Sequence, residues 1–382
     1  MLVRRRTWED FVEIDQSFDS CVAQTKSFIK SALEQIVCVD KIGVSISGGV
    51  DSTVIAGLLR KLAPEKDIYS FSMGFTESDE MLKKGQIVAD GFDTIHEEIV
   101  VEDPLSKLPK MINIHGKPKW HLYSYFLVER MARKCDLIMT GGGGDELFGG
   151  YVFRYAQLLK NQPPKTIVDR TKAYLETHAR DWVEDQEKMF GSRIKFSWKH
   201  IYTLLESHFA NPLPYTGQVF LADFNGKMLY DFIPIFNSWF KHFGVNYYYP
   251  LCTEQLINYA THIPYYYKYQ KGVGKLILRK IMSELPIDTK RLGILKRGFG
   301  GDPSYFWNNS GKELCEAYLL GSPGICEDKW ISKEWVEKSM NKLKNGNEPF
   351  SERLIYKMLG LLALEIWRRL FITKELSPNV PL

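Results

Sequence analysis

The segment IGVSISGGVDSTV, residues 42–54, decides the fold of this chain. An apolar, β-rich run leads into two adjacent glycines, and the stretch STVIAGLLRKLA that follows has the apolar spacing and the Ser/Thr start of a helix. A strand, a glycine turn and a helix in this order are typical of an α/β domain with a parallel sheet. The glycines let backbone amides approach an anion at the positive end of the helix. We therefore interpret this turn as a phosphate cradle formed by Ser47, Gly48, Gly49, Ser52 and Thr53.

The same alternation of short β-rich runs and helical stretches continues along the chain. It predicts strands at 41–46, 67–73, 94–101 and 136–140, with helices near 79–90 and 121–134. Ligands of such sheets bind beyond the carboxyl ends of the strands, here 47–53, 73–76 and 140–146. The predicted organisation is a leading helical segment (1–40), an α/β core (41–151) and a mainly helical lobe (152–382).

Composition excludes several classes of protein. With 45% hydrophobic residues in 382, the chain can fill a core and is not disordered, and a net charge of +4 does not by itself indicate a nucleic-acid binder. The six cysteines contain no C-x-x-C pair, which argues against disulfide scaffolds and zinc ribbons. No run approaches the ~18 uninterrupted apolar residues of a membrane span. We expect a soluble, cytoplasmic protein without membrane partners.

An acid lies inside the phosphate cradle. Asp51 would repel a phosphate unless a cation lay between them, so the sequence predicts Mg²⁺ there. A second carboxylate, Asp145, follows the glycine run of TGGGGDELFGGY, residues 140–151. Two carboxylates at neighbouring strand ends could hold one metal ion. The alternative is that both motifs are tight glycine turns with capping acids, and we interpret Glu146 as structural.

Together these motifs resemble those of a known family. The first resembles the PP-loop of the ATP pyrophosphatases (the adenine nucleotide alpha hydrolase-like fold), and the second resembles G-D-E-L-F-G-G-Y of the asparagine synthetase family. KGVGKLILRK (271–280) and KRGFGGDPSYFW (296–307) are similar to two further family segments. The resemblance spans about residues 25–310 and implies that ATP and Mg²⁺ are bound and that AMP and pyrophosphate are released.

Roles for individual residues follow from this resemblance. Lys275 would reach the α and β phosphates and act with Asp51 and Asp145 in catalysis, the two acids holding the metal. Met73 falls where the family contacts adenine through the backbone, and Gly141 and Gly142 would line the nucleotide. Arg279 and Lys296 are weaker candidates. Without the resemblance, Lys275 would be interpreted as a solvated helical lysine and Met73 as a core residue.

The chain departs from the family around the acceptor. Gly142 replaces an acid or tyrosine, and four more family charges are replaced by Asn237, Asn246, Tyr248 and Thr253. A zwitterionic acceptor such as aspartate needs fixed charges in a partly desolvated pocket. We therefore expect poor activity with aspartate and a preference for a bulkier carboxylate that stacks on Tyr247–Tyr249.

The resulting hypothesis is an ATP-dependent, amide-forming ligase that adenylates a carboxylate and transfers ammonia or an amine to it. Residue 2 is Leu rather than the nucleophilic cysteine of the family's glutaminase domain, so a separate amidotransferase subunit is a possible partner. The alternatives are a PP-loop RNA-modifying enzyme, which could use Arg4–Arg6 and the bases at 290–297, and a regulatory pseudoenzyme. The motif TGGGGDELFGGY does not fit the first, and the persistence of all three catalytic candidates argues against the second.

Overall fold

The structure is a computed structural model and describes residues 3–178, 180–293, 301–321, 323–344 and 351–382. The chain forms two compact units. One comprises Met1–Val101, Tyr125–Pro163 and His208–Gly298, and the other comprises Glu102–Ser124, Pro164–Ser207 and Phe299–Leu382. The units interleave along the chain, whereas the segments 1–40, 41–151 and 152–382 are consecutive; that division stays a prediction.

The strands are, in chain order, β1 (Ile42–Ser45), β2 (Ile68–Gly74), β3 (Ile95–Val100), β4 (Leu137–Met139), β5 (Asn246–Tyr248), β6 (Tyr269–Gln270) and β7 (Val273–Gly274). The α-helices are α1 (Phe18–Glu34), α2 (Val50–Leu62), α3 (Glu80–Gly91), α4 (Leu108–His115), α5 (Ser124–Ala132), α6 (Gly144–Phe148), α7 (Val152–Leu158), α8 (Ile167–Glu176), α9 (Gln186–Met189), α10 (Trp198–Phe209), α11 (Tyr215–Asp223), α12 (Ile233–Phe243), α13 (Glu254–Thr261), α14 (Leu276–Ser283), α15 (Thr289–Leu292), α16 (Pro303–Phe306), α17 (Lys312–Cys315), α18 (Lys333–Lys344) and α19 (Ser351–Phe371). Segments Phe224–Phe232, Trp307–Gly311 and Glu316–Leu320 are π-helical, and short 3-10 turns lie at Glu9–Phe11, Pro250–Cys252 and Tyr265–Tyr267.

The first unit is built on a five-stranded sheet of order β3-β2-β1-β4-β5, in which neighbouring strands are parallel. The chain moves outward from β1 to β2 and β3, and then returns to the other side of β1 with β4. This reversal makes the gap between β1 and β4 the topological switch point, where ligands of such sheets bind. The loops after β1 and β4, which carry the two glycine motifs, therefore meet at one edge of the sheet.

The predicted α/β fold with a parallel sheet and a mainly helical remainder is confirmed. Each of the four predicted strands is present, with both ends within one residue of the prediction. Strand β5 was not predicted, because its three residues lie at the sheet edge without a long apolar run. A two-stranded antiparallel hairpin, β6–β7, leads into α14.

The second unit is helical and packs around α19. That helix buries Met358, Leu359, Leu362 and Ile366, and it also buries the carboxylate of Glu365. Glu365 is compensated locally: it accepts a hydrogen bond from the amide of Ile325 at 2.8 Å and pairs with Arg369 at 2.6 Å. No described helix combines the length and apolar composition that a bilayer crossing requires.

Candidate active site

The turn after β1 requires glycine at position 48. Gly48 has a φ of +67°, and a Cβ on it would collide with the Cβ of Lys84 on α3. Gly49 is extended and begins the 13-residue helix α2 without a side-chain cap. The first amides of a helix have no intrahelical acceptor and carry the positive end of its dipole. The turn thus presents a helix N-terminus at the switch point, the geometry that a phosphate cradle needs.

The hydroxyl groups of this turn contact its own backbone. Ser52 Oγ donates to the carbonyl of Gly49 at 3.2 Å, and Thr53 Oγ1 donates to the same carbonyl at 2.8 Å. Ser47 Oγ accepts from the amide of Gly49 at 3.4 Å. Thr53 is fully buried, so its bond stabilises the turn. Roles for Ser47, Ser52 and Thr53 as phosphate ligands stay predictions.

The glycine-rich loop after β4 lies directly against Asp51. A Cβ on Gly141 would lie 2.9 Å from the Cβ of Asp51, and a Cβ on Gly144 would overlap the Asp51 carboxylate. The loop therefore approaches the first motif at backbone distance, which only glycine permits. Asp145 follows Gly144 in α6, so the two predicted metal ligands come from the two loops that meet at the switch point.

Lys275 is held in place by its backbone. It has a φ of +60°, directly before α14, and its amide donates to the carbonyls of Phe148 at 3.0 Å and Lys268 at 2.8 Å. These bonds tie the end of α6 and the start of the β6–β7 hairpin to one residue. Left-handed backbone at a non-glycine residue is uncommon and is often associated with functional sites.

The side chain of Lys275 joins the two carboxylates. Its Nζ contacts Asp51 Oδ2 and lies 2.5 Å from Asp145 Oδ1. Burial lowers the pKa of the amine, but the Asp145 and Asp51 carboxylates raise it by more, so the net pKa lies above its ordinary value. Gly150 makes this approach possible, because a Cβ there would overlap both Asp145 Oδ1 and Lys275 Cε. The structure thus brings together the three residues predicted to be catalytic.

The residues present fit a divalent cation. Asp51 Oδ1 is buried and has no hydrogen-bond partner among the described residues. A buried, unpaired carboxylate oxygen is costly unless a cation or donor takes it up. Among the described residues no group of three or more His, Cys, Asp or Glu could hold a metal ion alone. Mg²⁺ is often held by one or two carboxylates together with substrate phosphates, which matches a two-carboxylate site.

Two other charged neighbours, Glu146 and Arg279, make contacts within the protein, and their roles in the site stay predictions. Glu146 is buried and accepts a hydrogen bond from Tyr151 Oη at 2.5 Å, and burial together with Asp145 raises its pKa to about 7. Arg279 Nε donates to the carbonyl of Gly274 at 2.9 Å and fastens the β6–β7 hairpin to α14. Lys296, another weaker candidate, lies outside the described residues. Met73 is buried at the end of β2, opposite Ile99, and its contact with adenine stays a prediction.

Gly142 lies beside an aromatic ring. A Cβ on Gly142 would overlap the ring of Phe232, the last residue of the π-helical segment. On the neighbouring residue, Gly143, a Cβ would overlap Cys252 Sγ, and the thiol of Cys252 donates to the carbonyl of Gly142 at 3.2 Å. The side chain that the family carries at this position is thus replaced by a ring from another element.

The other neutral replacements differ from expectation. Asn246 pairs with Leu137 at the start of β4, the end opposite Gly141, so it does not join the site. Thr253 caps α13, accepting from the amide of Leu256 at 3.3 Å, a role that Thr and Asp can both perform. Asn237 accepts from Tyr249 Oη at 3.3 Å, and Tyr248 Oη donates to Gln35 at 3.4 Å. Of the four positions expected in or near the acceptor pocket, Asn246 thus lies at the end of the sheet away from the glycine loops.

The expected stacking surface on Tyr247–Tyr249 is also largely taken. Tyr247 stacks on Phe240, with ring centroids 4.5 Å apart and an interplanar angle of 11°. Tyr249 is buried and packs edge-on against Phe232 at 6.0 Å. Tyr249 is therefore closed to a stacking ligand, whereas Tyr247, Tyr248 and Phe232 are each half-buried.

Two residues of this region were missed from the sequence. Phe232 gave no signal because its contact with Gly142 spans 90 positions and arises only in the fold. Lys268, the residue before the β6–β7 hairpin, is buried beside the rings of Phe220 and Tyr265. The cluster of tyrosines around Lys268 in YYYKYQ was the one available hint.

Comparison with known proteins identifies relatives of this chain by sequence. The chain is 28% identical over 155 residues to a root asparagine synthetase (glutamine-hydrolyzing) of Pisum sativum, covering 35% of this chain and 25% of that protein. It is 29% identical over 133 residues to asparagine synthetase (glutamine-hydrolyzing) 1 of Bacillus subtilis strain 168, covering 31% and 20%. The chain thus spans a quarter or less of the curated relatives it matches here.

Among solved structures, a U34-tRNA thiolase NcsA from Methanococcus maripaludis is 13% identical, covers 86% of this chain and 82% of its own, and has a TM-score of 0.32. A TM-score this low carries no weight for function. The sequence model of the asparagine synthase family matches residues 24–369, nearly the whole chain. The chain therefore belongs to the asparagine synthase family.

Proposed function

We propose that this protein is an ATP-dependent, amide-forming ligase that adenylates a carboxylate, releases pyrophosphate and transfers ammonia or an amine to the acyl group. The observation that carries the proposal is the contact of Lys275 with both Asp51 and Asp145 at the switch point of the sheet. A buried cation between two acids, beside a helix N-terminus, suits phosphate chemistry.

Each residue has a distinct task in this proposal. The amides at the start of α2 and the glycine loops bind phosphate oxygens, and Lys275 stabilises charge as pyrophosphate leaves. Asp51 and Asp145 would hold Mg²⁺, which supplies charge neutralisation on the phosphates. The two acids also keep Lys275 protonated, since its pKa is raised. A buried neutral amine would lose that stabilising charge.

The family assignment supports this activity over the alternatives. It does not favour the RNA-modifying enzyme, and the intact trio of Lys275, Asp51 and Asp145 supports activity over a regulatory pseudoenzyme. A carboxylate acceptor, ammonia or an amine as nitrogen donor, a separate amidotransferase subunit and a cytoplasmic location are parts of the same proposal. Nucleic acid is not among the proposed partners.

The proposal is tested by the products of ATP cleavage. Purified protein is incubated with radiolabelled ATP, Mg²⁺, ammonium and a panel of carboxylates, with glutamine as an alternative nitrogen donor. We expect AMP and pyrophosphate to form only when both a carboxylate and Mg²⁺ are present, and chelation by EDTA to stop the reaction. Release of ADP and phosphate, or turnover that is indifferent to the metal, would contradict the proposal.

A further inference from the structure

The helix that faces the glycine loop is distorted where it contacts that loop. Residues Phe224–Phe232 are π-helical, between α11 and α12. Long π segments are rare, and π turns are frequently found at functional sites. Two residues of this segment, Met228 and Phe232, lie against the loop: a Cβ on Gly143 would come within 3.6 Å of Met228 Sδ, and one on Gly142 would overlap the Phe232 ring.

Asp51 and Phe232 lie against different glycines of this loop. Gly141 and Gly144 lie against Asp51, whereas Gly142, between them, lies against Phe232. The ring is therefore separated from the Asp51–Lys275 cluster by the backbone of a few glycines. A group that extends from the carboxylates along the loop would therefore meet the ring.

The surroundings of the ring are apolar. Phe232 packs against Phe236 at 4.7 Å and Tyr249 at 6.0 Å, and the thiol of Cys252 bonds the loop carbonyl beside it. The ring is only half-buried, so part of its surface remains for a ligand. An ammonium group on a phenylalanine face gains only a weak cation–π attraction at an exposed site. That gain is smaller than the cost of desolvating an amino acid's paired charges without fixed partners.

We infer that Phe232 is a specificity-determining residue, which fills the space of a side chain at position 142 and selects a carboxylate with an apolar or aromatic body. The inference rests on the proposed function and names the substrate class of the same site. Gly142 and Phe232 form a matched pair: a larger residue at 142 requires a smaller one at 232.

The experiment measures kcat/KM for pyrophosphate release with three probes, L-aspartate, succinate and 3-phenylpropionate, at saturating ATP, Mg²⁺ and ammonium. We expect wild type to favour 3-phenylpropionate over aspartate, and Phe232→Ala to lower that ratio by at least about tenfold, the range that lost pocket contacts give. The KM for ATP should stay within about twofold, since uniform loss of binding would raise it. Phe243→Ala, which removes a half-buried ring of α12 that packs on Tyr125 and His242 rather than on Phe232, is the control.

A second pair of variants tests whether a side chain at position 142 and the ring of Phe232 compete for the same space. Gly142→Glu alone collides with the ring and should lose activity with every probe, whereas Gly142→Glu with Phe232→Ala has room for the acid and should gain selectivity for aspartate. Phe232→Leu covers the case in which Phe232→Ala does not fold, as judged by circular dichroism. Equal effects of Phe232→Leu or Phe232→Ala on all three probes would overturn the inference.

Failure of the proposed function gives a different result. If wild type releases pyrophosphate with none of the probes, that function is wrong for these substrates, and binding is measured directly by calorimetry in the presence of Mg²⁺ and a non-hydrolysable ATP analogue. Tighter binding of 3-phenylpropionate than of aspartate, lost in Phe232→Leu, would still support the role of Phe232. No preference, or one unaffected by the substitution, would refute it.

Discussion

Lys275 and Lys268 lie seven residues apart and are both buried, yet their amines have opposite environments. Lys275 Nζ contacts the carboxylates of Asp51 and Asp145. Lys268 Nζ has no hydrogen-bond partner among the described residues and lies 5.2 Å from the ring centroid of Phe220 and 5.5 Å from that of Tyr265. The backbones of the two lysines are joined by the bond from Lys275 N to Lys268 O.

The difference shows that partners, more than burial, set the charge of a buried lysine. Burial lowers the pKa of Lys268 to about 7, and the more distant charges of Glu13 and Cys21 offset this only in part. For Lys275 the same cost of burial is outweighed by two carboxylates in contact, so its pKa is raised. Of these two lysines, Lys275 is therefore the one that stays fully protonated at neutral pH.

The largest effect should come from removing the paired lysine. Lys275→Met should lower kcat for pyrophosphate release by about 10³-fold, because a preorganised cation is lost where charge develops. The matched control is Lys268→Met, which removes an equally buried amine on the same hairpin and should leave the rate within about twofold. ATP–pyrophosphate exchange measures both, and equal losses in the two variants would refute the distinction between the lysines.

A smaller effect should follow from removing one partner of Lys275. Asp51→Asn should lower turnover by about 10²-fold and raise the Mg²⁺ concentration needed for half-maximal rate, because a proposed ligand and a charge partner are lost together. It should also lower the free energy of unfolding by roughly 1–3 kcal/mol, the usual loss for a buried bond to a charged group. Asp145→Asn should destabilise less, because that side chain is 24% exposed against 11% for Asp51.

Thermal unfolding and a Mg²⁺ titration of the rate check this second prediction. Asp90→Asn, on the exposed end of α3, serves as a carboxylate-to-amide control that should change neither quantity. If Asp51→Asn lowered stability but left the Mg²⁺ dependence as in wild type, Asp51 would be only the partner of Lys275.

The smallest effect concerns stability and the unpaired lysine. The folded pKa of Lys268, about 7, lies below its ordinary value of 10.5, so between these pH values the unfolded chain binds more protons. Its contribution to stability is thus full above pH 10.5 and is lost as pH falls toward 7. Lys268→Met should raise stability at pH 7 by about 1–4 kcal/mol, the range for replacing buried charge by apolar groups, with little gain at high pH.

Chemical denaturation of wild type and Lys268→Met at a series of pH values measures this difference. The gain from the substitution should be largest near pH 7 and shrink as the pH rises toward 10.5, where both forms bury a neutral group. Lys61→Met, a lysine whose Nζ bonds the carbonyl of Glu284 at an exposed position, is the control. A gain independent of pH would mean that Lys268 is neutral throughout or is paired.

Local sequence determined four strands of the sheet and the position of the candidate site. The strands at 42–45 and 137–139 could be predicted because apolar runs end in glycines that only a tight turn explains. Asp51 and Asp145 could be predicted to converge, because loops that follow parallel strands meet at one edge of the sheet. These inferences need only the chain order of short motifs.

Only the tertiary structure decided what surrounds that site. Asn246 was expected near the acceptor, but the pairing of β5 with β4 places it at the opposite end of the sheet. The register of a strand depends on its partner strand, which the local sequence does not reveal. Phe232 reaches Gly142 across 90 positions, and Lys268 is buried beside one ring from α11 and one from the 3-10 turn Tyr265–Tyr267. Glycine turns and strand runs are encoded within a few residues, whereas packing between distant segments, and the pKa values it sets, exists only once the chain has folded.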